Sequence, residues 1–465
     1  MGLWNGPLSP CRRRAYLSAG ERKIFPRCIA LLRRIRVLEV VRPAEGGMKK
    51  HIRGLVQGLD KDRFEVFIAA PEGDELNQWA ETEGAACFPL GISSRMLASG
   101  DVLACLKLGN LIRSIRPDIC HFHGFKAAAI GRVAVALCSL VAPQVVYTVH
   151  NSVLLRSNAH LSPAISSITR PAQFPFSASK GRFSILKDLF HLSKFQGKMC
   201  LYIEHALAGL THRVIAVSKG IYQEYSAIRH LGPGKVRYIP NGIDLKRFCP
   251  TAPFGDGERE RAKRATGCAV DISVVGLVSR LIPHKGVKTF LLAMASLRQV
   301  GLTPQVLIAG DGPSRVELEA FSLRLGLGDQ VRFLGFIDDM VSFYAALDVF
   351  VLSSFSEGMP LALIEAMAAG VPVVATRTGG VEEVVSTSAG GAGGSEAVII
   401  SDRGRLVRPG DPDAMAACIR NTLLFPEESR MLADKAKAYV RENFSIEHMV
   451  RKTEEVYEEV LACRD

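Results

Sequence analysis

A strand-then-helix rhythm, repeated in each half of the chain, is the feature that most constrains the fold. Ile35-Arg36-Val37-Leu38-Glu39-Val40-Val41 is a mostly apolar run of strand length. It closes in the turn Pro43-Ala44-Glu45-Gly46-Gly47, and an amphipathic helical stretch follows over 48–59. Further strands are expected at 65–69, 119–122, 145–149, 214–217 and 236–239. The pattern then restarts, with strands at 273–278, 305–309, 331–334, 349–352 and 371–375 and helices between them, such as 287–300 and 361–369. Strands that alternate with helices imply a parallel sheet with right-handed crossovers. The expected fold class is α/β, with two doubly wound domains in a chain of 465 residues.

The polar, Pro- and Gly-containing stretch 241–257 is the expected boundary. The chain divides into a basic extension 1–34, a domain 35–250, a second domain 251–440 and a terminal segment 441–465 with a long charged helix over 446–461. Two segments break the rhythm. Residues 152–200 are rich in Ser, Pro and Lys/Arg, and a connection this long is usually functional or disordered. Residues 386–396 read as a Gly/Ser linker with no chemistry.

The net charge of +12 is concentrated at one end. Residues 1–36 hold nine Arg/Lys against Glu21, which leaves +4 for the rest. A body this mildly basic suits phosphate-bearing ligands, and nucleic acid is not an expected partner. The arm lacks the continuous apolar core of a secretory peptide. It reads as a disordered extension, with contact to lipid headgroups as the alternative. The apolar stretch 127–142 is too short to span a bilayer and contains Arg132. Eleven Cys without a CxxC pair argue against a disulfide framework and for a reducing, cytoplasmic location.

Open α/β sheets bind ligands beyond the carboxyl ends of their strands, and four motifs fall there. Gly46 and Gly47 follow the first strand and precede a helix, where backbone N–H groups can approach a phosphate. No Gly-x-Gly-x-x-Gly occurs, which counts against a dinucleotide oxidoreductase. Arg280 and Lys285 bracket the turn after the strand that opens the second domain, and two such cations can neutralise a diphosphate without a metal. Phe355-Ser356-Glu357-Gly358-Met359-Pro360-Leu361 turns a strand into an apolar helix that carries Glu365. A carboxylate there needs a partner: ribose hydroxyls, or alternatively an internal salt bridge. The free N–H groups near Met359 and Leu361 face any phosphate at the helix start.

Asp118-Ile119-Cys120-His121-Phe122-His123 places two imidazoles on one strand face. That is a metal-ligand spacing, but no third ligand lies near in sequence, so no metal is expected. His150 and Asn151 end the next strand. Asp411-Pro412-Asp413 opens a helix and reads as a cap.

These residues, in this order and spacing, resemble the retaining glycosyltransferases of family 4. The resemblance runs from about Ile35 to the last helix. It includes Val214-Ile215-Ala216-Val217-Ser218, Ile239-Pro240-Asn241-Gly242-Ile243-Asp244, Ala309-Gly310-Asp311-Gly312-Pro313 and the pair Glu357/Glu365. It implies the GT-B fold: two facing Rossmann-like domains, with the final helix crossing back to the first. It implies that Arg280 and Lys285 bind the donor diphosphate, that Glu365 binds ribose and that Glu357 contacts the donor sugar. Gly358, Met359, Pro360 and Leu361 would offer backbone groups, with Gly312 beside them and Gly46 and Gly47 closing from the other domain. His123 would lie near the reacting sugar, with His121, His150 and Asn151 on the acceptor side.

The expected activity is transfer of a hexosyl group from a UDP- or GDP-sugar to a lipid-linked or cell-envelope polysaccharide. No metal or other cofactor is expected beyond the nucleotide sugar as co-substrate. The expected location is cytoplasmic, at the inner face of the membrane. Two alternatives stand beside it. A GT-B sugar-nucleotide epimerase is disfavoured by the Glu357/Glu365 spacing. A non-catalytic sugar-nucleotide or glycan-binding subunit is disfavoured by the intact Arg280, Lys285, Glu357, Glu365 and His123.

Overall fold

A computed structural model describes residues 33–43, 46–93, 100–138, 142–151, 199–250, 254–386 and 398–463. Nearly all of the basic extension, the 152–200 segment and the Gly/Ser stretch therefore lie outside the described residues.

The first sheet holds β1 (Ile35–Val41), β2 (Phe64–Ala70), β3 (Ala86–Pro89), β4 (Ile119–His123), β5 (Gln144–Val149), β6 (Arg213–Ala216) and β7 (Val236–Tyr238). Its order is β3-β2-β1-β4-β5-β6-β7, parallel throughout. The second holds β8 (Val274–Val278), β9 (Gln305–Ala309), β10 (Val331–Gly335), β11 (Val349–Leu352), β12 (Val373–Thr376), β13 (Val398–Ser401) and β14 (Gly404–Val407), ordered β10-β9-β8-β11-β12-β14-β13. Strands β1, β4, β5, β8 and β11 are buried along almost their whole length. That is why they read as apolar runs rather than as alternating patterns.

The structure departs from the expected strands at the sheet margins. The short, half-exposed β3 escapes a search for apolar runs. The hairpin β13–β14 is antiparallel, so the second sheet carries one antiparallel edge strand and is not purely parallel. The strand expected from 371 begins at Val373, because the chain is still turning out of the preceding helix after Gly370. The Asp411 carboxylate accepts from Ala414 N at 2.9 Å, so Asp411 caps a helix as its position suggested.

In both sheets the chain reverses direction between its first strand and the fourth one formed, β1 to β4 and β8 to β11. Those crevices are the topological switch points, where open α/β sheets hold ligands. Helix α1 (Gly47–Gly58) leaves the first, and α2 (Lys219–Ser226) follows β6. Helix α3 (Val287–Gln299) leaves the second, followed by α4 (Leu361–Ala368) and α5 (Gly380–Val385).

The last helix, α6 (Ile446–Ala462), packs on the first domain. Met449, Val450, Val456, Tyr457 and Val460 share a core with Val37, Ile52 and Leu55. A Cβ at Gly54 would sit 2.1 Å from Ile446 Cδ1, so a larger residue there would have to displace the Ile446 side chain where α1 and α6 meet. The chain crosses between domains twice, side by side. Ile243 N donates to Phe444 O at 2.9 Å, and Ile446 N donates to Ile243 O at 3.0 Å.

Candidate active site between the domains

The second domain supplies cations and carboxylates on loops. After β8 the chain exposes Arg280 and makes a short turn over Pro283–Lys285. Lys285 Nζ lies 2.6 Å from Glu357 Oε1, which also accepts from Ser354 Oγ at 2.6 Å. The segment containing Gly312 is stitched to this loop, with Leu281 N donating to Asp311 O and Ser314 N to Leu281 O. Helix α4 starts after Pro360 without any side-chain cap, so its first N–H groups point out of the helix. Glu365 lies one turn inside, 1% exposed. Its Oε2 accepts from the Tyr344 hydroxyl at 2.8 Å and its Oε1 from Lys50 Nζ at 2.6 Å. Glu365 is thus satisfied by an internal ion pair and a tyrosine hydroxyl, the alternative to ribose that the sequence left open.

The first domain supplies a buried hydrogen-bonded network on strands. Gly46 and Gly47 turn the chain from β1 into α1. Register pairs Glu39 of β1 with His121 of β4, and His123 with Thr148 of β5. Glu39, His121 and His123 are fully buried. The hydrogen bonds fix one consistent proton assignment. Tyr457, from α6, donates to Glu39 Oε1 at 2.8 Å, so its oxygen accepts from His121 Nδ1 at 2.7 Å. His121 Nε2 then accepts from Thr148 Oγ1 at 2.7 Å. His123 Nε2 donates to Glu39 Oε2 at 2.7 Å, which leaves Nδ1 to accept from His150 Nε2 at 3.2 Å. His51 Nδ1 donates to Asn241 Oδ1 at 3.0 Å, and Asn241 Nδ2 donates to Met359 O at 3.2 Å.

These contacts set the charges. Burial pushes the Glu39 carboxyl up, but charge interactions and hydrogen bonds with His121 and His123 outweigh it and hold the group far below the usual carboxylate range. Burial, reinforced by neighbouring imidazoles, lowers His51 to about 3 and His123 to about 4, and holds His150 well below its ordinary value. At neutral pH His51, His123 and His150 are therefore uncharged beside an ionised Glu39.

The two halves meet. Gly47 faces Leu361, with a Cβ position 3.6 Å from Leu361 Cδ1. Lys50 reaches Glu365 across the cleft, and Asn241 links His51 to Met359. A Cβ at Gly358 would lie 2.1 Å from the His150 carbonyl oxygen and 3.3 Å from Asn151 Cα, so glycine is required where the loop before α4 abuts the end of β5.

The structure corrects the expectation that no third ligand accompanies the histidine pair. Folding brings two sets of ligating atoms within 4.8 Å of one another, His51/His123/His150 and Glu39/His121/His123. In the second set every ligating atom is already spent on the hydrogen bonds just described.

Family comparison accounts for both halves. Residues 45–247 match the family described as Glycosyltransferase Family 4, and residues 258–439 match Glycosyl transferases group 1. The chain belongs to glycosyltransferase family 4. This glycosyltransferase is 26% identical to the UDP-Gal:alpha-D-GlcNAc-diphosphoundecaprenol alpha-1,3-galactosyltransferase of Escherichia coli, over 69% of this chain and 74% of that one. It is 33% identical to the lipopolysaccharide core biosynthesis mannosyltransferase LpsB of Rhizobium meliloti, over 48% of this chain and 60% of that one. HepE of Anabaena, solved with UDP and glucose, superposes with a TM-score of 0.67 at 20% identity, covering 91% of this chain and 99% of that one. The fold is GT-B.

Several site residues of this family 4 member were not singled out from the sequence: Glu39, Lys50, His51, Tyr344 and Tyr457. For Glu39 the signal was present. A carboxylate inside an apolar strand raises the same question as Glu365 inside an apolar helix. Tyr457 lies more than 300 residues from His121, and nothing in its helix sets it apart from a core aromatic.

Proposed function

We propose that this glycosyltransferase moves a hexosyl group, with retention of anomeric configuration, from a UDP- or GDP-sugar to a lipid-linked or envelope-polysaccharide acceptor, without a metal. One observation carries the reading. Arg280 and Lys285 follow β8 and the uncapped start of α4 follows β11 at one switch point, and Gly358 of that second loop abuts the end of β5, whose His150 bonds to a neutral His123. Breaking the anomeric C–O bond leaves negative charge on the diphosphate, and fixed cations with aligned N–H groups stabilise that charge as it develops. The acceptor hydroxyl attacks on the face the diphosphate leaves, and its proton passes to the departing phosphate oxygen. Buried, uncharged imidazoles beside the sugar orient hydroxyls without competing with the cations for the phosphate.

The acceptor class is supported by the relatives, which act on a diphosphoundecaprenol-linked sugar and in lipopolysaccharide core biosynthesis. Among the described residues no helix is long and apolar enough to cross a membrane. A lipid-linked acceptor would then be met at the cytoplasmic membrane surface.

The test is a donor screen without acceptor, in EDTA. Slow hydrolysis of one UDP- or GDP-sugar is expected, the sugar first appearing in the donor's own anomeric form by NMR. Hydrolysis of no donor overturns the reading. Activity that vanishes in EDTA and returns with Mn²⁺ overturns the metal-free scheme and points to His51/His123/His150.

A further inference from the structure

Lys50 joins the two halves of the site, and no expectation from the sequence gave it a role. It sits in the first turn of α1, its N–H bonded to Gly46 O at 3.1 Å, so it rises directly from the Gly46-Gly47 loop. Its ammonium crosses the cleft to Glu365 and lies 5.8 Å from the Phe248 ring centroid. The two partners of Glu365 differ in freedom. Tyr344 is fully buried and belongs to the same domain, whereas the Lys50 side chain is 46% exposed. Glu365, with a 2% exposed side chain, cannot leave, but Lys50 can withdraw without stranding a buried cation.

We propose that Lys50 is a donor-binding residue that pairs with Glu365 until a donor enters and then moves to the diphosphate. This rests on the nucleotide-sugar reading above. Ribose hydroxyls entering the site donate to Glu365 Oε1, the oxygen Lys50 now occupies, and keep the carboxylate hydrogen-bonded. The released ammonium needs a new anion. The donor brings one to the start of α1, where Gly46 and Gly47 already place N–H groups and a favourable helix end. The ion pair thus holds the cleft drawn together before binding, and then becomes a phosphate contact from the first domain, opposite Arg280 and Lys285.

The experiment titrates UDP, GDP and the matching nucleosides into the full-length protein and into Lys50→Gln. Glutamine keeps a donor for Glu365 and removes only the charge. Lys50→Gln is expected to bind the nucleoside diphosphate about 10–100-fold more weakly, the range of one charge-assisted contact. It should bind the nucleoside as well as wild type or better, because a competitor for Glu365 is weakened. Lys50→Arg should restore diphosphate binding to within about threefold. Unchanged diphosphate affinity in Lys50→Gln, equal losses for nucleoside and diphosphate, or failure of arginine to rescue overturns the proposal. A wild type that binds neither UDP nor GDP removes the nucleotide-sugar reading itself, and this proposal with it.

Discussion

In the C-terminal domain Arg280, Lys285 and Glu357 stand on loops; in the N-terminal domain Glu39, His121 and His123 stand on strands. Lys285 and Glu357 form a partly accessible ion pair, while Glu39, His121 and His123 are fully buried and their hydrogen-bonding atoms are committed. The first arrangement can exchange partners, which a site must do if a diphosphate arrives and departs. The second cannot move without breaking a sheet register, which suits groups that hold a sugar in one orientation. Under the proposed function, the contrast puts exchangeable charge at the diphosphate and fixed geometry beside the sugar.

The largest effect is expected where charge is removed. Lys285→Met should lower kcat/KM by about 10³-fold, since it deletes a cation facing the developing phosphate charge and strands the Glu357 carboxylate. Steady-state kinetics of the folded variant check this, and a loss below tenfold would erase the distinction between the two halves. Glu39→Gln should be milder, lowering kcat by about 10²-fold with nucleotide affinity unchanged. The amide can no longer accept from both Tyr457 and His123 as the carboxylate does, so the His123 tautomer is freed. Weaker nucleotide binding in that variant would show that the buried network also shapes the donor side.

A split within the donor side follows at about tenfold. Ribose contact is alike in ground and transition states, so Glu365→Gln should raise the donor KM. Sugar contact orients the anomeric carbon, so Glu357→Gln should lower kcat. Interchanged patterns would reverse the two roles and keep the site.

The smallest effect is on stability. An unfolded His protonates below about 6.5, whereas His51 and His123 stay neutral in the fold down to about 3 and 4, and His150 behaves alike. The unfolded chain therefore binds more protons across that window, and stability falls as pH falls from about 6.5 toward 4. Glu383 opposes this. Burial raises it to about 7, so its contribution is lost as pH rises between 4.5 and 7. Three imidazoles outweigh one carboxyl. Tm should thus rise from pH 4.5 to pH 6.5, and His150→Phe should flatten the rise. A Tm that falls over this range would mean the imidazoles are charged in the fold.

The same contrast explains what could be read in advance. The crossing-back of α6 and the GT-B class came with the family resemblance; the strand–helix rhythm is local, so the two sheets were legible. So were Arg280, Lys285 and the Glu357–Glu365 segment, because each is a run of neighbours at a strand end. The strands β3, β13 and β14 were not, since they are short and β3 is half-exposed. The N-terminal network was legible only in fragments. His121 and His123 announce themselves two residues apart, but their protonation is set by Glu39, Thr148 and Tyr457, which sheet register and a distant helix bring together. Lys50 could not be distinguished from Lys49 beside it until the domain interface showed which one reaches Glu365. Lys49 pairs instead with Asp74.

Calorimetric titration of UDP and GDP in EDTA into Arg280→Ala and His123→Ala tests the division most directly. Arg280→Ala should lose about 100-fold or more in affinity for the nucleotide that wild type binds, while His123→Ala should stay within about threefold and yet fail to turn over donor. Equal losses in both variants, or a loss confined to His123→Ala, would contradict a site in which Arg280 holds the diphosphate and His123 orients the sugar.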